Sequence, residues 1–355
     1  MDKRWDQLAE LLVGYSMAIK PSEKVMIAYG EKETYPMVYS LYRACIQAGA
    51  FVQVQFLSEE LNRHLLKYGN DTQIDWLPEI EAYGMEWADV YFGLRGAYNL
   101  DVFWDIPAQR IARWRRTLGR ISTLRWQKTR WCLLRVPNAA LAQQAGVDEE
   151  TLLDMFFNAC LLDWEKESRE WKRWAQILNQ GAHLRVVGKG TDLQFSLEGR
   201  SWEVADGHMN MPDGEIATSP VESTVHGTIT FDFPGVLGGR LMQNICLRWE
   251  QGRLVEASST TNQDYLRSIL STDEGASRIG EFAIGTNPHW KLFCKDILLD
   301  EKIGGTIHIA LGRAYPQTGG TNQSAIHWDI VKDMRQEGEI FLDGKKIYEK
   351  GVFLI

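Results

Sequence analysis

The sequence predicts two domains: an α/β N-terminal domain over residues 1–181, with a mostly parallel sheet and flanking helices, and a β-rich, barrel-like α+β C-terminal domain over residues 182–355. Three observations carry this. A chain of 355 residues is long for one core. Its first half alternates helix-length amphipathic stretches with short apolar runs, the pattern of βαβ units. Beyond His183 short apolar runs are separated by Gly, Asp-Gly and Asn signals every ten or so residues, as antiparallel strands require.

The N-terminal MDKRWDQLAELLVGYSM is charged and amphipathic and reads as a first helix. KVMIAY (24–29) is a buried strand, YPMVYSLYRACIQAG (35–49) a helix and FVQVQF (51–56) a second strand, completing a βαβ unit. Helices follow around SEELNRHLLKYG and from Ile74 to Tyr83, then strands at ADVYFGL (88–94) and WCLLRV (131–136). Residues 148–180, rich in Leu, Trp, Glu and Lys, are helical, and Gly181 is a C-cap and domain boundary. HLRVVG, DLQFSLEG, HGTITFDF and NICLRWEQGRLVEA are strands of the second domain, interrupted by one helix over 264–276. The hairpin GEIFLDGKKIYEKG turns at Asp343-Gly344.

Composition excludes several classes. Hydrophobic content of 45% with 24% charged residues is that of an ordered globular chain, and a net charge of −8 gives no general attraction to nucleic acid or anionic membrane. No run approaches the roughly 20 apolar residues of a membrane span. The N-terminus lacks a signal-peptide pattern, so the expected location is the cytoplasm. Cys45, Cys132, Cys160, Cys246 and Cys294 are scattered, odd in number and free of CxxC spacing, and read as buried free thiols in a reducing compartment.

Four segments resemble functional motifs. VVGKGTD (186–192) echoes a phosphate loop, but His183 stands where the first Gly belongs and Gly190 replaces the Ser or Thr, so a hairpin turn is the expectation. The first βα turn, AYGEKETYP, lacks the GxGxxG of a dinucleotide fold. The stretch 110–131 holds eight Arg and Lys beside three Trp, which suits either a nucleic-acid backbone or an amphipathic helix that buries its Trp face while the arginines pair with acidic neighbours. The second is favoured. His208 has metal-ligand chemistry but no partner that spacing brings near it.

The segment GGTIHIALGRAYPQTGGTNQSAIHWD, from Gly304 to Asp329, is the strongest candidate for chemistry. His327 and Asp329, two apart on a strand, project to one side, and His308 on the preceding strand can meet them across the sheet. Imidazole and carboxylate suit a borderline divalent ion, although strand histidines are also often only satisfied core or surface groups, and the segment alone leaves both open. Glu281 enters the apolar run of RIGEFAIGTNP, where a carboxylate is costly unless it meets a cation. Glu215 follows the tight turn Pro212-Asp213-Gly214, and the turn alone can account for it.

NMPDGEIATSPVEST, IGEFAIGTNP and LLDEKIGGTIHIALGRAYPQTGGTNQSAIHWDIVKDM together resemble the thermophilic metallo-aminopeptidase family, of the aminopeptidase T and aminopeptidase S type. The resemblance spans the chain and is most specific from Asp206 to Met334. It implies a hydrolase, an exopeptidase with a dinuclear centre of two divalent ions (zinc, cobalt or magnesium), a homodimeric assembly, and peptides with a free N-terminus as substrates. Its ligand positions fall on Glu215, Glu281, His308, His327 and Asp329, with Tyr315 as a further ligand or oxyanion donor. A hydroxide shared by the ions is the implied nucleophile, and Glu215 and Glu222 are both candidates for the proton transfer. Ser219 and His226 depart from the family's usual residues without removing a donor atom. The competing reading is a non-catalytic nucleotide- or nucleic-acid-binding protein that keeps the fold.

Overall fold

The computed structural model describes residues 2–99, 101–124 and 128–355. The first unit opens with α1 (Arg4–Leu11), continued by a π-helical turn over Leu12–Ser16. Strands β1 (Lys24–Gly30), β2 (Phe51–Leu57), β3 (Val90–Arg95) and β4 (Arg130–Arg135) pair in parallel in the order β2-β1-β3-β4. Val25, Met26, Ile27 and Ala28 on β1 and Val90, Tyr91 and Phe92 on β3 are buried in succession, without the in-out alternation of a half-exposed sheet, as a parallel sheet covered on its faces demands. The covering helices include α2 (Tyr35–Gln47), α3 (Glu59–Tyr68), α4 (Asp71–Asp75), α5 (Glu79–Trp87), α6 (Ala108–Leu124), α7 (Ala139–Ala145) and α8 (Glu149–Cys160).

Two helices expected to be continuous are divided. The helix expected over Ile74–Tyr83 becomes α4 and α5, because Pro78 disfavours a helical conformation at Leu77 and removes a backbone donor. The 148–180 stretch becomes α8 and α9 (Trp164–Leu178), with the Asp163 carboxylate accepting from Lys166 N at 3.0 Å as an N-cap.

Contacts divide the chain into two compact units, one of residues up to Leu161 with Gly207–Pro212, the other of Leu162–Asp206 with Asp213–Ile355. The division is interleaved, whereas a single cut at Gly181 was expected. Helix α9 belongs with the second unit, where Ser168 and Lys172 bond Asp206 at 2.6 and 2.8 Å. The short strand Asn210–Met211 returns to the first unit and pairs in parallel with β4.

The second unit holds two main sheets. The larger is eight-stranded and includes β5 (His183–Gly188) and β6 (Thr191–Ser196), so VVGKGTD is a hairpin turn with Gly190 at φ 60°. Its hairpin of Glu339–Leu342 with Lys345–Glu349 turns at Asp343-Gly344, both left-handed at φ 49° and 81°, as the Asp-Gly pair predicts. The helix expected over 264–276 spans only Gln263–Leu270, and Asp273 beyond it accepts bonds from Ser324 Oγ and Ala325 N. The five cysteines are free thiols, four of them buried. Among the described residues no helix is long and apolar enough to cross a membrane.

Candidate metal centre

The second sheet of this unit runs His327–Asp333, Thr306–Gly312, Ile279–Gly285, Glu215–Thr218, Glu203–Ala205 in antiparallel order. Its register places Glu281 opposite Ala310 and Ala310 opposite Asp329, while His308 faces Ala283, Gly312 faces His327 and Gly285 faces Glu215. Directly opposed residues share a face and each strand repeats every two residues, so Glu215, Glu281, His308, His327 and Asp329 all project from one side. Small residues, Ala217, Ala283, Ala310, Gly285 and Gly312, fill the positions between them and leave that side open. Gly285 is required by close approach: a Cβ there would lie 2.3 Å from Ile303 O and 3.0 Å from Glu301 O. The segment 301–303 thereby reaches the strand beside Glu215.

The projecting groups form two clusters, each with ligand atoms within 4.8 Å of one another. The first is Glu215, Glu301 and His308; the second is Glu281, His327 and Asp329. Glu281 lies between them, Oε2 at 3.3 Å from His327 Nε2 and Oε1 at 4.0 Å from His308 Nε2.

In the second cluster His327 Nδ1 contacts Arg313 O at 2.7 Å. This contact selects the tautomer that donates from Nδ1 and turns the Nε2 lone pair toward Glu281 and Asp329. Without an ion, burial disfavours charge on His327, but Asp329 and Glu281 outweigh it and hold its pKa far above the imidazole range. Burial likewise opposes the Asp329 charge, and His327, His308 and Lys302 overcome it, leaving a pKa of about 2.

The first cluster contains a cation of its own. Lys302 is fully buried, and its Nζ lies 3.0 Å from Asp213 Oδ1, 2.8 Å from Glu215 Oε1 and 2.9 Å from Glu301 Oε1. Burial lowers the lysine's pKa, but Asp213, Glu215 and Glu301 reverse this and raise it well above the usual value. Glu301 goes the other way: burial raises it well above the carboxylate range despite Lys302.

The donor set fits divalent ions. Glu215 Oε2 and Asp329 Oδ1 are buried without a hydrogen-bond partner, each 3.5 Å from an imidazole Nε2. Direct hydrogen bonds would be shorter, and orphaned buried carboxylate oxygens aimed at imidazoles are the donors a cation takes.

Of the sequence candidates, five stand in the clusters. Tyr315 stands beside them, its ring centroid 4.9 Å from that of His327. Burial of the phenol and the charges of Glu281, Asp329 and Glu301 push its pKa up to about 12, though 40% of the residue's surface is exposed, so it is a protonated donor at neutral pH. Glu222 is engaged elsewhere: it pairs with Arg200 at 2.9 Å and accepts from Thr321 Oγ1 at 2.9 Å. Ser219 donates to Gly280 O at 2.8 Å and shares a 2.7 Å bond with Thr318, tying the turn after Tyr315 to the Glu281 strand. His208 packs against Tyr15 in the first unit, ring centroids 4.7 Å apart and planes tilted by 46°.

Glu301, Lys302 and Asp213 were missed from the sequence. The signal for Glu301 and Lys302 was an acidic pair and a lysine, DEK, closing an apolar segment just ahead of the IHIALG strand, while Asp213 lies in the turn before Glu215. Part of the basic stretch 110–131 is occupied internally: Trp114 is buried, Arg113 pairs with Asp71 and Asp75, and Arg110 donates to Leu66 O and Gly69 O, while Arg115, Arg116 and Arg120 are exposed. Arg125 and Trp126 of that stretch lie outside the described residues.

The family model Peptidase_M29, thermophilic metalloprotease, matches residues 1–353. The chain belongs to this family. Aminopeptidase T of Thermus thermophilus is 27% identical over 98% of this chain and 95% of the relative, and aminopeptidase 2 of Geobacillus stearothermophilus 24% over 97% and 96%. The solved structure of wild-type AmpT from Thermus thermophilus superposes with a TM-score of 0.89 at 24% identity, covering 99% of both chains. A 2,5-dihydroxypyridine dioxygenase from Pseudomonas putida KT2440 shares the fold at TM-score 0.65 and 16% identity, over 99% of this chain and 96% of that one. One fold thus accompanies two chemistries, and the side chains of the site must choose between them.

Proposed function

We propose that this metalloprotease-family chain is a cytoplasmic, homodimeric aminopeptidase that hydrolyses the N-terminal peptide bond of peptides at two divalent ions, zinc, cobalt or magnesium. The observation that carries the reading is Glu281, which turns one carboxylate oxygen toward the histidine of each cluster. Glu215, Glu301 and His308 would hold one ion, His327 and Asp329 the other, with Glu281 shared. Such ions, when bound, lower the pKa of water toward neutrality and polarise a carbonyl oxygen.

The remaining work falls to the chain's own groups. Tyr315, protonated at neutral pH, is positioned beside His327 to donate a hydrogen bond to the tetrahedral oxyanion. The carboxylates around the site favour the amine of a peptide N-terminus over a C-terminal carboxylate. Of the two candidates for moving a proton to the leaving amine, Glu222 has both oxygens engaged, by Arg200 and by Thr321, which leaves Glu215 as the candidate that stands in the clusters.

The test uses the purified chain with leucyl amide. Leucine release that stops on exhaustive chelation, returns with zinc or cobalt and fails on N-acetyl-leucyl amide is expected. Release that persists in metal-depleted protein, or equal cleavage of the blocked substrate, overturns the reading.

A further inference from the structure

The two clusters differ in what accompanies their carboxylates. In the first, both carboxylate ligands already share charge with an ammonium, since Lys302 Nζ lies 2.8 Å from Glu215 Oε1 and 2.9 Å from Glu301 Oε1. That ammonium is fully buried and is anchored on its other side by Asp213 at 3.0 Å. Glu215 is divided by it: Oε1 faces Lys302, while Oε2 is left toward His308 Nε2 at 3.5 Å. His308 Nδ1 is buried without a hydrogen-bond partner, so nothing orients that ring as Arg313 O orients His327. In the second cluster, among the described residues, the direct ion pairs of Glu281 and Asp329 are with imidazoles alone, and Lys302 acts on Asp329 only from beyond pairing distance.

We infer that Lys302 is a built-in positioning cation that orients Glu215 and Glu301 and sets the ion affinities of the two clusters apart, making Glu215–Glu301–His308 the weaker site. A fixed positive charge beside a divalent ion repels it and draws electron density from the ligand carboxylates, and inside a protein one such charge outweighs a factor of ten in affinity. The anchored His327 adds to the asymmetry, because an imidazole whose second nitrogen donates to a carbonyl is a stronger and better oriented ligand. Ions therefore fill the second cluster first and the Lys302 cluster last.

This rests on the two-ion reading, and the two can fail separately. Metal-free full-length chain is titrated calorimetrically with zinc chloride, with metal content measured by mass spectrometry. Two steps at least about tenfold apart are expected, the weaker lost in His308→Ala and the tighter in His327→Ala. A single ion per chain would sink the two-ion reading itself. Lys302→Met is expected to tighten the weaker step by about tenfold while the tighter step stays within about threefold. Asp213→Asn, which keeps Lys302 but removes the anion behind it, is expected to weaken the same step by several fold. A merely structural lysine would instead loosen binding in Lys302→Met as well. If Lys302→Met leaves the gap unchanged or widens it, the inference is overturned; should that variant not fold, an unchanged weaker step in Asp213→Asn overturns it equally.

Discussion

The two clusters of the candidate metal centre are built around one sheet but from different strands of it, and they solve the problem of buried carboxylates differently. Around Glu281 and Asp329 the counter-charge is left to an imidazole held by Arg313 O, so an ion bound there would replace a proton. Around Glu215 and Glu301 a buried ammonium is resident, and an ion bound there would share the carboxylates with it. The first arrangement is waiting for a cation and the second is already partly neutralised. A ligand set alone therefore does not describe a site: what else touches the ligands decides how strongly they bind.

The comparison is tested most severely at the shared residue. Glu281→Ala should lose both ions and lower leucyl-amide turnover by about 10³-fold or more, measured with metal content in parallel; retention of both ions would show that the clusters are independent. Tyr315→Phe should lower kcat by about 10²–10³-fold with two ions still bound, and loss of an ion instead would make Tyr315 a ligand. Glu222→Gln should change kcat by less than about tenfold while costing about 1 kcal/mol or more in chemical denaturation, since Arg200 and Thr321 already engage its carboxylate. A loss as large as that of Tyr315→Phe would return it to the proton-transfer role.

The smallest effect lies behind the second cluster. Asp273 accepts from Ser324 Oγ and Ala325 N just ahead of His327, and although burial acts to raise its pKa, these bonds leave it lowered. A depressed folded pKa means its contribution is complete above the ordinary carboxylate range and is lost as pH falls through the lowered value. Asp273→Ala should cost about 1 kcal/mol at neutral pH, seen by denaturant unfolding, and the difference from wild type should vanish in acid. A difference that persists at low pH would assign the loss to packing.

Much of the second cluster was legible in the sequence because it is local. His327 and Asp329 are two apart on one strand, and strand periodicity by itself puts them on one face. Glu281 was legible through its cost, a carboxylate inside an apolar run. Glu215 was ambiguous, because a turn explains it as well as a ligand does, and only its register opposite Gly285 brings it to the others. Glu301 and Lys302 were illegible: they sit at the end of a short helical segment, Ile297–Asp300, with no period that points them anywhere. The break at Pro78 shows the opposite case, a local signal that was available and that outweighed the apolar spacing around it.

What the sequence alone determined is what short range controls: alternating helix and strand in the first half, paired hairpins in the second, Asp-Gly turns, and the face shared by His327 and Asp329. Strand pairing across distant segments decided the rest. It gathered Glu215, Glu281, His308 and Asp329 from four strands, and the close approach of residues 301–303 to Gly285 placed a lysine among them. Neither follows from neighbours in the chain, because register and burial are set by partners far away in sequence, and a lysine stays charged with no exposed surface only where three carboxylates converge.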